Sequence, residues 1–235
     1  MFTNDLKSVT SLIKGMPKAG IHKNKIDNFY RLQASSYNDF RSKLLAGRFD
    51  MLKKLRIREG HSVADFGCGT GQVLDYLNPT FIHSLERVDL VDICSPLLDK
   101  AKEKEKNFMN VNVVSCSAEE YRPDTLFDRI YFSYSMTMMP TWFESLRNAY
   151  RLLKPSGFIG VVDFCSQPLL TPVDLPTKMS FFWTKWFQHS GVHLNRRYQS
   201  TLIGMFETVY HEYFTQPLPY LSFLKAPYYI FIGRK

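Results

Sequence analysis

The run Asp65-Phe66-Gly67-Cys68-Gly69-Thr70-Gly71 lies between an apolar segment, Ser62 to Phe66, and a segment of helical character over 71–77. Glycines at alternate positions let a backbone turn sharply, and they let a ligand approach it with no Cβ in the way. The dinucleotide fingerprint G-x-G-x-x-G would need glycine at 72, where Gln72 stands, and the Lys-Ser/Thr pair of a phosphate-binding P-loop is missing. What remains is an acidic residue followed by G-x-G-x-G after a strand. It reads either as a tight strand-to-helix turn or as a ligand cradle, and the flanking sequence has to decide.

Outward from this turn, short apolar strands alternate with helical stretches. Strands are predicted over 62–66, 85–91, 111–115, 127–133 and 158–163, with a charged helix through 100–106. A second helix over 142–153 is expected to stop at Pro155-Ser156-Gly157. Two strand-like runs, 207–214 and 228–232, close the chain. This is the pattern of an α/β domain with a largely parallel sheet. Asp92 ends the second strand about 20 residues beyond the loop, where a carboxylate accepts ribose hydroxyls; the alternative is a helix-entry cap before Ser95-Pro96.

Composition narrows the function classes. The 235 residues suit one ordinary domain, with 45% apolar and 22% charged residues, so disorder and fibrous repeats are excluded. No run of 18 apolar residues occurs, which argues against a membrane-spanning helix. Thirty Lys and Arg against 22 Asp and Glu leave a net charge of +8, but the excess is local: residues 1–58 hold 13 basic and 4 acidic side chains, and the remainder 17 and 18. Nucleic acid is therefore not expected as a partner, because the nearly neutral main part has no basic stripe. Residues 1–23 read as a basic amphipathic leader suited to an anionic membrane surface, or as a segment docked on the core. The domain proper is placed at 24–235. Cys68, Cys94, Cys116 and Cys165 are scattered and no apolar leader is read, which predicts reduced thiols and a cytoplasmic location with peripheral membrane contact. His189 and His193 have the spacing of a helical metal pair, but no third ligand accompanies them and no metal is expected.

The acidic residue with its G-x-G-x-G turn resembles motif I of the class I S-adenosylmethionine-dependent methyltransferases, and Leu153-Lys154-Pro155-Ser156-Gly157 is similar to that family's turn before the fifth strand. The resemblance implies a Rossmann-like, doubly wound, seven-stranded and mostly parallel sheet with an antiparallel last strand, and S-adenosyl-L-methionine as cofactor. It places Tyr37, Asp65, Gly67, Cys68, Gly69, Gly71, Asp92, Ile93, Ser117, Ala118 and Ser133 around that cofactor. At 117 the family usually has Asp, so Ser117 is a departure at the adenine contact. The Asn/Asp-Pro-Pro-Tyr/Phe turn of base-amino methyltransferases is missing after the fourth strand.

Four stretches instead resemble the N-methyltransferase part of betaine-lipid synthases, which trimethylate diacylglyceryl-homoserine. They are residues 132–142, Asn28-Phe29-Tyr30-Arg31-Leu32-Gln33-Ala34 with Tyr37, Gly191-Val192-His193-Leu194, and the closing 227–234. The implied partners are a lipid substrate and a separate aminocarboxypropyltransferase. A quaternary ammonium product suits an aromatic pocket, and aromatics make up 15% of the chain, with 15 of 35 beyond residue 180. Tyr30, Tyr37, Tyr134, Trp183 and Trp186 are the candidate cage residues. An aromatic cap insertion is expected around 165–200. Asp163 and His193 are the candidate proton acceptors, and Arg48 is a candidate for a cofactor or substrate carboxylate. A soluble amine or quinone acceptor, or an inactive cofactor-binding subunit, are the alternatives.

Overall fold

The computed structural model describes residues 15–17, 20–31, 44–165, 187–189, 191–195, 197–218 and 221–235. Tyr37, Trp183, Trp186 and the leader before residue 15 lie outside the described residues.

In chain order the elements are α1 (His22–Arg31), α2 (Arg48–Leu55), β1 (Ser62–Phe66), a 3-10 turn (Gln72–Tyr76), α3 (Pro79–His83), β2 (Arg87–Asp92), α4 (Ser95–Asn107) and β3 (Val111–Ser115). Then follow β4 (Phe127–Ser133), a second 3-10 turn (Met136–Met138), α5 (Trp142–Leu152), β5 (Leu153–Phe164), α6 (Arg197–Met205), β6 (Glu207–Leu218) and β7 (Leu221–Arg234). The seven strands form one sheet in the order β3-β2-β1-β4-β5-β7-β6. All pairs from β3 to β5 are parallel, and β7 runs antiparallel to both of its neighbours. The expected sheet is therefore the observed one.

Every residue of β1 is buried, as a central parallel strand covered on both faces requires. Its side chains alternate between two cores. Val63 joins α1, α2 and α4 on one face through Ile26, Met51, Leu55 and Leu97. Ala64 and Phe66 join α5 and α6 on the other through Leu146, Ala149 and Leu202. Within β2, Asp89 is fully buried and accepts hydrogen bonds from Arg87 Nε (2.8 Å) and Asn112 Nδ2 (2.9 Å), with the Tyr121 hydroxyl as a third donor.

The structure differs from expectation in three places. The segment after the glycine turn, expected as the start of a helix, is a short 3-10 helix over Gln72–Tyr76. β5 begins directly at Leu153 and runs through the Pro155-Ser156-Gly157 segment expected as a turn; Ser156 takes φ 63° there, and Phe127 already pairs with Leu153. α1 starts at His22, so His22 and Lys23 belong to a helix of the domain rather than to the leader. Among the described residues no helix is long and apolar enough to cross a membrane.

Strand order reverses between β1, which continues outward through β2, and β4, which continues through β5. Ligands of open α/β sheets bind in the crevice outside the carboxyl ends of the strands at such a point.

Candidate cofactor and acceptor site

A cavity of about 590 Å³ opens at that crevice, within the usual range for a small-molecule site. Its floor is the glycine loop. Gly67, Gly69 and Gly71 have φ of 78°, 56° and 66°, the left-handed region that favours glycine. A Cβ on Gly67 would lie 2.3 Å from that of Ser135, so the loop also needs glycine to pass the start of the second 3-10 turn. Gly67, Cys68 and Gly69 line the cavity. Gly71, expected among the cofactor contacts, does not; it packs behind the loop, where a Cβ would come 2.8 Å from Leu90.

Asp65 is fully buried and lines the cavity. Among the described residues neither of its oxygens has a hydrogen-bond partner of ordinary geometry, and the same holds for Arg48 Nε and Ser133 Oγ in the same wall. Burial raises Asp65 to about 8, opposed by the Tyr131 hydroxyl and the Arg48 charge and reinforced by Asp92. Leaving buried polar atoms unpaired costs about 1–3 kcal/mol each, more for charged groups. A carboxylate, a guanidinium edge and a hydroxyl left together in one wall are the complement of an α-amino acid zwitterion. That is the methionyl end of S-adenosylmethionine, and the residues fit it.

The other half of the cavity suits an adenosine. Asp92 accepts from Gly69 N–H (2.7 Å) with one oxygen and from Cys94 N–H (2.8 Å) with the other. A carboxylate has about four acceptor sites, so capacity remains for a ribose hydroxyl. Burial raises its pKa, against the pull of the backbone N–H groups of Cys94, Gly69 and Ile93. Ile93, Ser117 and Ala118 continue the wall. The Ser117 hydroxyl donates to Glu120 at 3.0 Å.

Three cavity residues give no signal in the sequence. Lys23 reaches from α1 to the Ile93 carbonyl (2.9 Å), Ser95 Oγ (2.7 Å) and Asp27 (3.2 Å), which ties α1 down beside the end of β2. His22 lines the cavity from the first turn of the same helix. Glu119 accepts from Thr141 Oγ1 (2.7 Å) and Ser145 Oγ (3.1 Å) at the rim. Lys23 and His22 sit in a segment whose charge pattern resembles a solvated leader, and Glu119 looks like one more acidic loop residue.

The aromatic candidates divide. Tyr30 and Tyr134 are both buried and line the cavity. Tyr30 places its hydroxyl 3.8 Å from Met138 Sδ. Tyr134 takes φ 55°, which costs a non-glycine residue on the order of 1 kcal/mol or more, and its hydroxyl donates to the Ala46 carbonyl at 2.7 Å. Arg48 opens α2 after Gly47, bonds Gln72 Oε1 at 2.9 Å, and lies 5.8 Å from the Tyr134 ring centre.

Asp163 is not placed as a proton acceptor for a substrate. It is fully buried and lines neither of the two cavities described here. Its oxygens accept from Thr137 Oγ1 (2.8 Å), Thr137 N–H (3.1 Å) and Phe164 N–H (2.8 Å). Burial raises it to about 6 against those bonds. It anchors the second 3-10 turn, and the Thr137 carbonyl in turn accepts from His193 N–H at 2.8 Å. The His193 side chain lines a separate cavity next to the first. All four cysteines are unpaired. Burial raises every one of them, Cys116 to about 11 and Cys165 to about 12. They stay protonated and are poor nucleophiles. Among the described residues no cluster of three or more metal-ligating side chains is present.

The family model described as a methyltransferase domain matches residues 63–157. The ubiquinone/menaquinone biosynthesis C-methyltransferase of Pasteurella multocida is 35% identical over 121 residues, half of this chain and 44% of that protein. The chain thus spans about half the length of the curated relatives it matches. Phosphoethanolamine N-methyltransferase 2 of Haemonchus contortus, solved with S-adenosyl-L-methionine, superposes with a TM-score of 0.69 at 14% identity, covering 93% of this chain and 60% of that one. The N-methyltransferase NodS of Bradyrhizobium japonicum gives 0.58 at 14% identity, over 84% and 97%. At such identities the structures speak for the fold. Residues 63–157, which include the glycine loop and the cavity-lining Asp65, thus match the methyltransferase-domain model, and the sheet around them has the fold of the solved methyltransferases.

Proposed function

We propose that the chain is an S-adenosylmethionine-dependent N-methyltransferase whose acceptor is an amine of the diacylglyceryl-homoserine type, converted stepwise to a betaine lipid. One observation carries the amine reading: buried Tyr30 and Tyr134, with Met138, wall the cavity that also holds the cofactor residues. Bound S-adenosylmethionine supplies an electrophilic methyl group on sulfur. The chain's own contribution is placement and desolvation. Asp65, Arg48 and Ser133 fix the amino-acid end, and Asp92 fixes the ribose. An aromatic, water-poor wall lowers the pKa of an ammonium and so favours the neutral amine that has a lone pair to donate. After transfer, tyrosine faces attract the quaternary cation, an effect of about 0.5–2 kcal/mol per contact. Burial, then the Lys25 charge, lowers His22 below its ordinary 6.5, so its imidazole is neutral at pH 7 and able to take the proton an ammonium gives up.

The lipid part of the proposal rests on the resemblance at residues 28–37, 132–142, 191–194 and 227–234. Quinone C-methylation is the second reading, favoured by the names of the curated relatives. The separating experiment incubates the full chain with methyl-labelled S-adenosylmethionine and, in turn, a total lipid extract, homoserine, ethanolamine and a demethylated quinol, and identifies products by mass. Label in a lipid-borne quaternary amine is expected. Label only in aqueous products ends the lipid reading, label on quinol carbon establishes the second reading, and cofactor binding with no labelled product leaves an inactive partner subunit.

A further inference from the structure

A second cavity of about 390 Å³ adjoins the first and shares three wall residues with it, His22, Met138 and Pro140. Among the described residues the rest of its wall includes Lys25 from α1 and His193 from the segment held by Thr137, and no carboxylate. Lys25 is half-buried and has no carboxylate within ion-pair distance among the described residues, whereas Lys23, two positions earlier, is spent on Asp27, the Ile93 carbonyl and Ser95. The His22 and His193 rings likewise have no hydrogen-bond partner among the described residues. The three groups sense one another, because the Lys25 and His193 charges both push the His22 pKa down, with Glu119 across the rim pulling the other way. The wall sits at the first turn of α1, which contains no acidic residue to neutralise it.

A lysine charge and two imidazoles gathered in one cavity, with no carboxylate among its described wall residues, offer N–H donors that an anion can join. Two of the three groups come from the basic segment 1–58, which the fold brings against His193 in this wall. The cavity opens beside the methyl-transfer site across a wall only Met138 and Pro140 thick in sequence, so one acceptor can reach both.

We infer that Lys25, His22 and His193 bind an anionic group of the methyl acceptor, a carboxylate or phosphate, while its nucleophile enters the first cavity. The inference rests on the methyltransferase reading for the word acceptor, but the anion site itself is testable without turnover. The acceptor class it assigns is an amine with an acidic group a few bonds away, either a free metabolite or a lipid headgroup. Tyr30 and Tyr134 then face the amine and Lys25 the acid, which sets the orientation of the acceptor.

The test has a binding arm and a kinetic arm. In the first, the full chain saturated with S-adenosylhomocysteine is titrated with inorganic phosphate, and with chloride at matched ionic strength, while the ring resonances of His22 and His193 are followed by NMR. Saturable shifts of both rings with phosphate but not chloride are expected. Lys25→Ala should weaken that binding fivefold or more, Lys25→Arg should largely restore it, and S-adenosylhomocysteine affinity should stay unchanged in both. Ring shifts that match chloride, or phosphate binding indifferent to Lys25→Ala, overturn the site. In the kinetic arm, phosphoethanolamine is compared with ethanolamine, and free homoserine with diacylglyceryl-homoserine in mixed micelles. Lys25→Ala should raise KM about tenfold for the acidic acceptors and leave the KM for ethanolamine within twofold; equal rises in both overturn the inference. Saturation by the soluble acids or only by the micellar one identifies the source of the anion, and either supports the site. If no acceptor turns over, the methyltransferase reading fails, while the phosphate titration still decides on the anion site.

Discussion

Two aspartates of one sheet each stand one residue before the end of their strand, and each is fully buried: Asp65 in β1 and Asp163 in β5. Asp163 is satisfied by Thr137 and by the Phe164 N–H, and burial raises it only to about 6. Asp65 has no hydrogen-bond partner of ordinary geometry among the described residues and rises to about 8. The same residue, next to the end of a strand in the same sheet, is an internal anchor in one strand and an unpartnered group in the cavity wall in the other. Position along a strand does not assign chemistry; the accounting of hydrogen bonds does.

The largest effect that separates the two comes from removing each charge in turn. Asp65→Asn should weaken S-adenosylhomocysteine binding by two to three orders of magnitude, about 3–4 kcal/mol, the size lost when one partner of a buried ion pair is deleted. The same change should not destabilise the ligand-free protein. A carboxyl whose folded pKa lies above its unfolded value favours folding most at low pH, and that contribution is lost as pH rises from about 4 to about 8. The variant should therefore melt higher than the wild type at pH 8 and show less decline between pH 4 and 8. Isothermal calorimetry and melting curves read both, and unchanged affinity would mean that Asp65 does not meet the ligand.

Asp163→Ala should do the reverse. Thr137 N–H, Thr137 Oγ1 and Phe164 N–H lose their acceptor inside the core, at a cost of about 2–3 kcal/mol of folding stability. Urea unfolding measures it. The loss of binding should be smaller than for Asp65→Asn when both are measured well below the melting point. Next in size is a proton effect confined to Asp65. If an ammonium must displace its proton, S-adenosylhomocysteine affinity should rise about tenfold between pH 6 and 7 and level off above 8, with nearly one proton released per ligand bound at pH 6. Calorimetry in two buffers of different ionisation enthalpy counts the protons, and a flat profile would show that Asp65 is already ionised before binding.

The same contrast explains how much of the molecule is legible in its sequence. β1, β3 and β4 stand where the apolar runs predict them, and the glycine loop announces the cofactor end, because these are local signals: turn chemistry and short runs of apolar residues. The start of β5 is misjudged at Pro155-Ser156-Gly157 because pairing of Leu153 with Phe127 overrides a local turn preference. Asp163 is misjudged for a related reason, since its partner Thr137 lies 26 residues away in a turn that no periodicity marks. His22, Lys23 and Lys25 escape notice because their roles depend on contacts such as that between Lys23 and the Ile93 carbonyl, 70 positions apart. Charge patterning shows that a segment is basic; only the fold shows which of its lysines remain uncommitted.

Tyr134 lies between the two aspartates, just beyond β4, the strand that separates β1 from β5. Its backbone N–H donates to the Val162 carbonyl beside Asp163, while its ring faces Arg48 on the Asp65 side. Burial, foremost, raises its hydroxyl well above the ordinary value, so it stays protonated and serves only as donor to the Ala46 carbonyl. Tyr134→Phe keeps the ring, the left-handed backbone and the contact with Arg48, and removes one buried hydrogen bond, which predicts a stability loss of about 1 kcal/mol. If the hydroxyl belongs with the anchoring region around Asp163, S-adenosylhomocysteine affinity should stay within twofold of the wild type while the urea midpoint falls. A tenfold loss of affinity at unchanged stability would instead assign it to the Asp65 side, and would make the Ala46 carbonyl, immediately before Gly47 and Arg48, a support for the guanidinium that meets the cofactor's carboxylate.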